Sequence, residues 1–269
     1  MAAAGAEPEP RELRAALEAL FDALEAGEVR AAYPEGDRWE VATWVKAALL
    51  LAFRHGHVEP LAAAPPWVFR DKEFFPPRAA SSLERVRVVF GGSSVRRGAH
   101  VGAGAILMPP CFVNTGAYVG AGSMIDSHAL VGSCAQVGHG VHLSAGAQVG
   151  GVLEPPGAMP VVIEDDVFVG ALSAVVEGVR VRRGAVLGAG VILTASSRVY
   201  DVPRRRVLRA AGPARVLEIP ERAVVVAGAR PLADEWARGQ GLAAAAAIII
   251  KDRDASTDAR AVLEEGLRR

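Results

Sequence analysis

The chain has 269 residues, with 30 basic and 30 acidic side chains and a formal net charge of zero, which makes no electrostatic case for nucleic acid or an anionic membrane as its main partner. Its two cysteines, Cys111 and Cys134, are too few for a disulfide framework and fit a reducing cytoplasm. The longest apolar run, LAAAAAIII at 242–250, falls far short of the roughly 18 residues of a membrane span.

The first residues, MAAAGAEPEPRELRAALEAL, carry acids where a signal peptide needs a basic and then an apolar run, so a soluble, cytoplasmic protein is expected. Residues 11–31 read as an amphipathic helix, with Leu13, Leu17, Leu20, Phe21 and Leu24 at spacings of three and four. WEVATWVKAALLLAFR (39–54) reads as a second helix, apolar on most of its surface and packed against the first. A Pro-rich aromatic connector follows at 62–78. Residues 1–88 are taken as a helical N-terminal domain.

Beyond residue 90 an aliphatic side chain recurs every sixth position: Val95, Val101, Leu107, Val113, Val119, Ile125, Val131, Val137, Leu143 and Val149. After a break the ladder resumes at Ile163, Val169, Val175, Val181, Leu187, Leu193 and Val199. Four residues after most rungs stands a small side chain, as at Ala99, Ala105, Cys111, Ala117 and Ser123. A period of six belongs to neither a helix nor a simple strand. It is the hexapeptide signature of a left-handed parallel β-helix, in which three hexads close one triangular coil, rungs point inward and small residues fit the corners. This fold is expected over 89–202. Val149 and Ile163 are fourteen apart, so eight extra residues leave the coil around EPPGAMPV (154–161), in a loop that either carries binding or is a tolerated insertion. Residues 203–269 form a C-terminal α+β segment, with strands expected at 219–232 and 242–252 and a closing helix at 256–269, to cover the open end of the coil.

Alternation places the residue after each rung outward, so Asp126 faces the surface between Met108 and Ser144 of the adjacent coils, about 4.8 Å away on either side. Spacing alone leaves it equally readable as a solvated acid or as the acid of a pocket. His100, His128, His139 and His142 also lie in the coil. His139 and His142 stand three apart, whereas the zinc site of γ-type carbonic anhydrases on this fold needs a His-x4-His pair, and no metal is expected. His128, two residues from Asp126, is a second candidate base. Arg182, Arg183, Arg198 and the cluster Arg204–Arg206 form a candidate region for the phosphates of a CoA or nucleotide donor.

The segment VNTGAYVGAGSMIDSHALVGSCAQVGHGVHLSAGAQVGGVLEP (113–155) resembles the tetrahydrodipicolinate N-succinyltransferase family, as do 162–179, WVKAALLLAFR (44–54) and the C-terminal 248–269. The resemblance implies a homotrimer with active sites between subunits, acting on small molecules. It implies transfer of succinyl from succinyl-CoA, as co-substrate, to the amino group of ring-opened tetrahydrodipicolinate on the route to lysine and diaminopimelate. Asp126 matches the family's acceptor-binding aspartate and proposed base, and Arg87, in Arg87-Val88-Val89, matches an arginine for a substrate carboxylate. Ser144, Gly151, Arg182, Arg183 and Arg198 are the expected acyl-CoA-binding positions. The chain departs from the family at 170–178, where Leu172 and Ala174 replace an arginine and a glutamate, which leaves Glu177 and Glu154 as substitute acids. Transfer of acetyl or acylation of another amine, and a catalytically silent structural β-helix, are the alternatives.

Overall fold

The computed structural model describes residues 10–61, 69–210, 216–255 and 257; the expected closing helix, but for Thr257, and the middle of the aromatic connector lie outside them. Helix α1 (Pro10–Ala26) buries Leu17, Leu20, Phe21 and Leu24 on one stripe. It ends short of residue 31 because Gly27 takes φ +79 and its N–H returns to Leu24 O, while Glu28 N–H returns to Ala23 O, a glycine-terminated cap. Strands β1 (Ala32–Glu35) and β2 (Arg38–Val41) then form a hairpin around Gly36 at φ +59. Residues 39–41, expected as helix, therefore lie in a strand, and helix α2 runs over Thr43–His55. A second hairpin pairs β3 (Val58–Leu61) with β4 (Phe69–Lys72). Phe21, Val45, Leu49 and Phe75 form a separate core, into which the coil inserts Cys134.

The coil is a parallel β-helix of two-residue strands. Every rung from Val95 to Val199 is buried, most of them completely, in one continuous core. Successive turns pair eighteen residues apart, as Tyr118 with Gln136 and Met124 with His142. Across the break Gln136 pairs with Val162, so the ladder absorbs the eight extra residues without losing register.

Three sheets form the prism. A cap face contains His100–Val101, Tyr118–Val119, Gln136–Val137, Val162–Ile163, Arg180–Val181 and Glu218–Ile219. The hairpin face starts at Arg87–Val88, includes Met124–Ile125, His142–Leu143 and Phe168–Val169, and runs on into the C-terminal strands. The third face runs from Ser94–Val95 to Ile192–Leu193. At the end of the coil Glu218–Ile219 and Ala223–Pro231 extend two of these ladders, and Ala243–Asp252 pairs antiparallel with the latter. The terminal strands thus continue the sheets, which occupies ladder groups that would otherwise form a bare edge. Among the described residues no helix is long and apolar enough to cross a membrane.

Candidate functional site

Asp126 lies directly after strand Met124–Ile125, where the chain turns from the hairpin face onto the third face. Its N–H donates to Leu143 O on the next coil (2.9 Å), and Met108 N–H donates to Ile125 O (2.8 Å), so Met108, Asp126 and Ser144 form one column along this edge. The Asp126 side chain is 29% exposed. Its Oδ1 accepts the N–H of Ser127 (2.7 Å), which fixes the carboxylate against its own turn. The other oxygen, Oδ2, faces Nε2 of His142 at 3.9 Å. This histidine lies outside the column of Met108, Asp126 and Ser144, whose members alone the alternation pattern sets beside Asp126. The signal was present: His142 stands eighteen residues after Met124, and outward side chains on adjacent turns sit about 4.8 Å apart. His142 is nearly buried and packs edge-on against Phe168 of the following turn, at 5.0 Å between ring centroids. Within the prism, burial pushes the Cys111 thiol up, the Ser93 hydroxyl opposes this, and the charge of Asp126 adds to the rise.

The other expected residues fall on different parts of the prism. Ser144 is buried one turn along the Asp126 edge. Arg87 is exposed on the hairpin face, in register with Ile106, which pairs in turn with Met124; two turns of separation amount to roughly 10 Å along the axis. His128 is an exposed corner residue at φ +61 on the Asp126 edge, and Leu172 is exposed on the same edge at φ +58. Gly151 lies on a second edge, between the third and cap faces, where the 154–161 loop departs. Glu177 is also on that edge, and its carboxylate accepts the N–H of Ala195 (3.0 Å). Arg182 and Arg183 lie on the third edge, where Arg182 pairs with Asp37 of the N-terminal domain and Arg183 with Asp165 (2.6 Å). Arg198 is exposed just before the last rung. In one chain, then, Asp126, Gly151 and Arg182 occupy three separate edges.

The cap face is closed by polar contacts that sequence reasoning did not foresee. Arg180 is almost fully buried and reaches Glu164 (2.6 Å), Asp37 O (2.7 Å) and Glu218 (3.4 Å). Arg30 lies over the Tyr118 ring at 3.7 Å and donates to Gln136 (2.9 Å). Two cavities of about 440 and 340 Å³ run along this seam, and neither is lined by Asp126. The excised loop is held from the same side. Lys46 of α2 has no exposed surface, and its ammonium donates to Ala158 O (2.7 Å) and Pro155 O (3.4 Å). Burial pushes its pKa down. Near the C-terminus, Arg204 grips Asp252 and Arg206 grips the buried Asp201 (2.8 Å), so two members of the basic cluster are already paired with carboxylates. Among the described residues no group of three or more His, Cys, Asp or Glu is arranged to hold a metal.

Residues 2–55 match the family model described as Tetrahydrodipicolinate N-succinyltransferase N-terminal, and residues 160–195 match Hexapeptide repeat of succinyl-transferase. Proteins named 2,3,4,5-tetrahydropyridine-2,6-dicarboxylate N-succinyltransferase are similar over almost the whole chain. The Rhodopseudomonas palustris protein is 42% identical, over 96% of this chain and 90% of its own. That of Rhodospirillum rubrum is 43% identical, over 95% and 89%. That of Polynucleobacter asymbioticus is 42% identical, over 97% and 92%.

Proposed function

The chain belongs to the tetrahydrodipicolinate N-succinyltransferase family, and on that premise we propose that it moves succinyl from succinyl-CoA to the amino group of ring-opened tetrahydrodipicolinate. The product is N-succinyl-2-amino-6-oxopimelate, a step towards diaminopimelate and lysine. The observation that carries the site assignment is the half-buried Asp126 carboxylate. It is an acid in a column otherwise made of Val89, Met108, Ser144, Gly170, Gly188 and Val226, with one oxygen held by its own turn and the other, 3.9 Å from His142, facing the edge where a ligand can lie.

The chemistry follows from that placement. The amine nitrogen attacks the thioester carbonyl, Asp126 takes the proton that nitrogen loses, and collapse of the tetrahedral adduct expels the CoA thiolate, which then takes up a proton. N–H groups facing the carbonyl oxygen stabilise its developing charge. A general base contributes roughly 10²–10⁴-fold, and much of the remaining acceleration comes from holding amine and thioester together.

Asp126, the loop at Gly151 and the arginines at 182 and 183 lie on different edges of one prism, an arrangement that supports assembly of each site between subunits of a cytoplasmic homotrimer. In that reading Arg87 meets a substrate carboxylate, while Ser144, Gly151, Arg182, Arg183 and Arg198 line the path of CoA. The helical domain over 1–88, the coil over 89–202 and the C-terminal segment over 203–269 act as the three working parts.

Asp126→Asn tests the assignment: it should fold and assemble normally yet lose turnover by at least about 10². Near wild-type kcat/KM in that variant would sink it. One observation favours a second reading, transfer of a different acyl group: Leu172 is 74% exposed on the Asp126 edge, where the family carries arginine. Thioester release from succinyl-CoA and from acetyl-CoA with the same acceptor separates the two.

A further inference from the structure

We propose that His142 is a positioning residue for Asp126, presenting its Nε2–H to Oδ2 so that the carboxylate is held ready for the amine proton. This deepens the reading above and rests on it.

Asp126 Oδ1 accepts the N–H of Ser127 at 2.7 Å, which leaves rotation about the Cβ–Cγ bond restrained at one oxygen only. A carboxylate oxygen has two lone pairs. Oδ2 can therefore accept from a fixed donor with one and receive a proton from substrate with the other. Nε2 of His142 stands 3.9 Å from Oδ2. That is beyond hydrogen-bond distance, but contacts of this kind are commonly long in an unliganded site and shorten when substrate binds. A closure of about 1 Å brings the pair to hydrogen-bond distance.

The ring is built into the coil, and only Asp126 of the pair reaches appreciably into solvent: the His142 side chain is 8% exposed and that of Asp126 is 29%. His142 is paired in register with Met124 above and Phe168 below, and Phe168 meets it edge-on at 88°. The stack sets the plane of the imidazole, and the imidazole then sets the carboxylate. Its burial excludes it from direct contact with a substrate lying on the edge, so it acts through Asp126. In the reaction the proton passes from the amine nitrogen to Oδ2 as the C–N bond forms and the C–S bond breaks. His142 keeps its own proton throughout.

Two replacements separate this role from simple packing. His142→Phe keeps an aromatic ring against Phe168 and removes the N–H. His142→Gln keeps an N–H near the Nε2 position and removes the ring. With saturating acceptor and succinyl-CoA, His142→Phe is expected to lose on the order of tenfold to a hundredfold in kcat, the range for misplacing a reacting group by an ångström, with both KM values unchanged. His142→Gln is expected to retain most of kcat. In an Asp126→Asn background His142→Phe should cause no further loss, as residues that work as a unit are non-additive. Wild-type kcat in His142→Phe overturns the proposal, and so does a Gln variant that folds yet falls as far as the Phe variant. An additional loss in the Asp126→Asn background also overturns it. A wild-type chain that turns over no acyl-CoA overturns the functional reading and this inference together, whereas an active wild type with an indifferent His142 overturns this inference alone.

Discussion

Gly132 of GSCAQVG is a sharp test of how the coil is packed. A Cβ added there would lie 2.1 Å from Gly151 N and 2.6 Å from Gly151 Cα on the next turn, against the 3.4 Å at which ordinary contact begins. The shortfall of about 1.3 Å is against backbone, so no side chain can swing aside, and the two turns must separate at that corner. Two ladder bonds span the gap, Gly132 N–H to Val149 O at 2.8 Å and Val152 N–H to Ser133 O at 3.1 Å. Opening by 1.3 Å carries both past hydrogen-bond distance, at about 1 kcal/mol each. Overpacking adds about 1–3 kcal/mol, so Gly132→Ala should destabilise by about 3–5 kcal/mol. Gly122→Ala is the control: its Cβ meets nothing within 4 Å, and only its φ of +69 is unfavourable, for about 1–2 kcal/mol. Urea denaturation of the two variants, at equal protein concentration because assembly shifts apparent stability, measures the gap. A Gly132→Ala midpoint equal to or above that of Gly122→Ala would refute the reasoning. Because the displaced backbone is that of Gly151, Gly132→Ala should also raise KM for the acyl-CoA donor.

Other expectations follow from single contacts. Arg180→Met strips Glu164 of its buried partner and should lower stability by about 3–5 kcal/mol; if the melting temperature does not move, the pair carries no net stability. Burial pushes the Cys134 thiol up to about 12 from an ordinary 9.0. Between those values the unfolded chain has lost this proton and the native chain keeps it, so the thiol contributes stability below pH 9 that fades as pH rises towards 12. Melting temperatures should therefore fall less steeply over that window in Cys134→Ala than in the wild type, and parallel slopes would contradict the burial. Asp201→Ala should lower stability by about 1–3 kcal/mol through loss of its charge-assisted bond from Arg206. KM for succinyl-CoA should stay unchanged in that variant; a raised KM would instead tie this cluster to the donor.

The repeat was fully readable in the sequence because it is enforced locally. Apart from the shift across the excised loop, each rung from Val95 to Leu193 meets the rung eighteen positions away, so these residues declare their burial by period alone; Val199 is buried as the period predicts, but it pairs with Ala247 while Val181 takes Ile219 as its partner. The same rule placed Asp126 outside the core and the eight-residue excess outside the ladder, and the stripe of Leu17, Phe21 and Leu24 announced α1. The end of α1 was carried by one glycine: Gly27 is unremarkable in composition, and its left-handed φ became apparent only in the folded chain. What the sequence by itself could not determine were contacts between parts that meet only after docking. Nothing in the sequence around Lys46 foretells that its ammonium is sealed against the carbonyls of Pro155 and Ala158. Arg182 reads as a phosphate ligand, yet Asp37, in the turn between β1 and β2, is against its guanidinium. His142 was visible as a residue and invisible as a neighbour of Asp126, because a side chain leans along its strand as well as across it. Periodicity specifies which side of a sheet a residue occupies; the stacking of turns and the seating of the N-terminal domain decide which charges meet there.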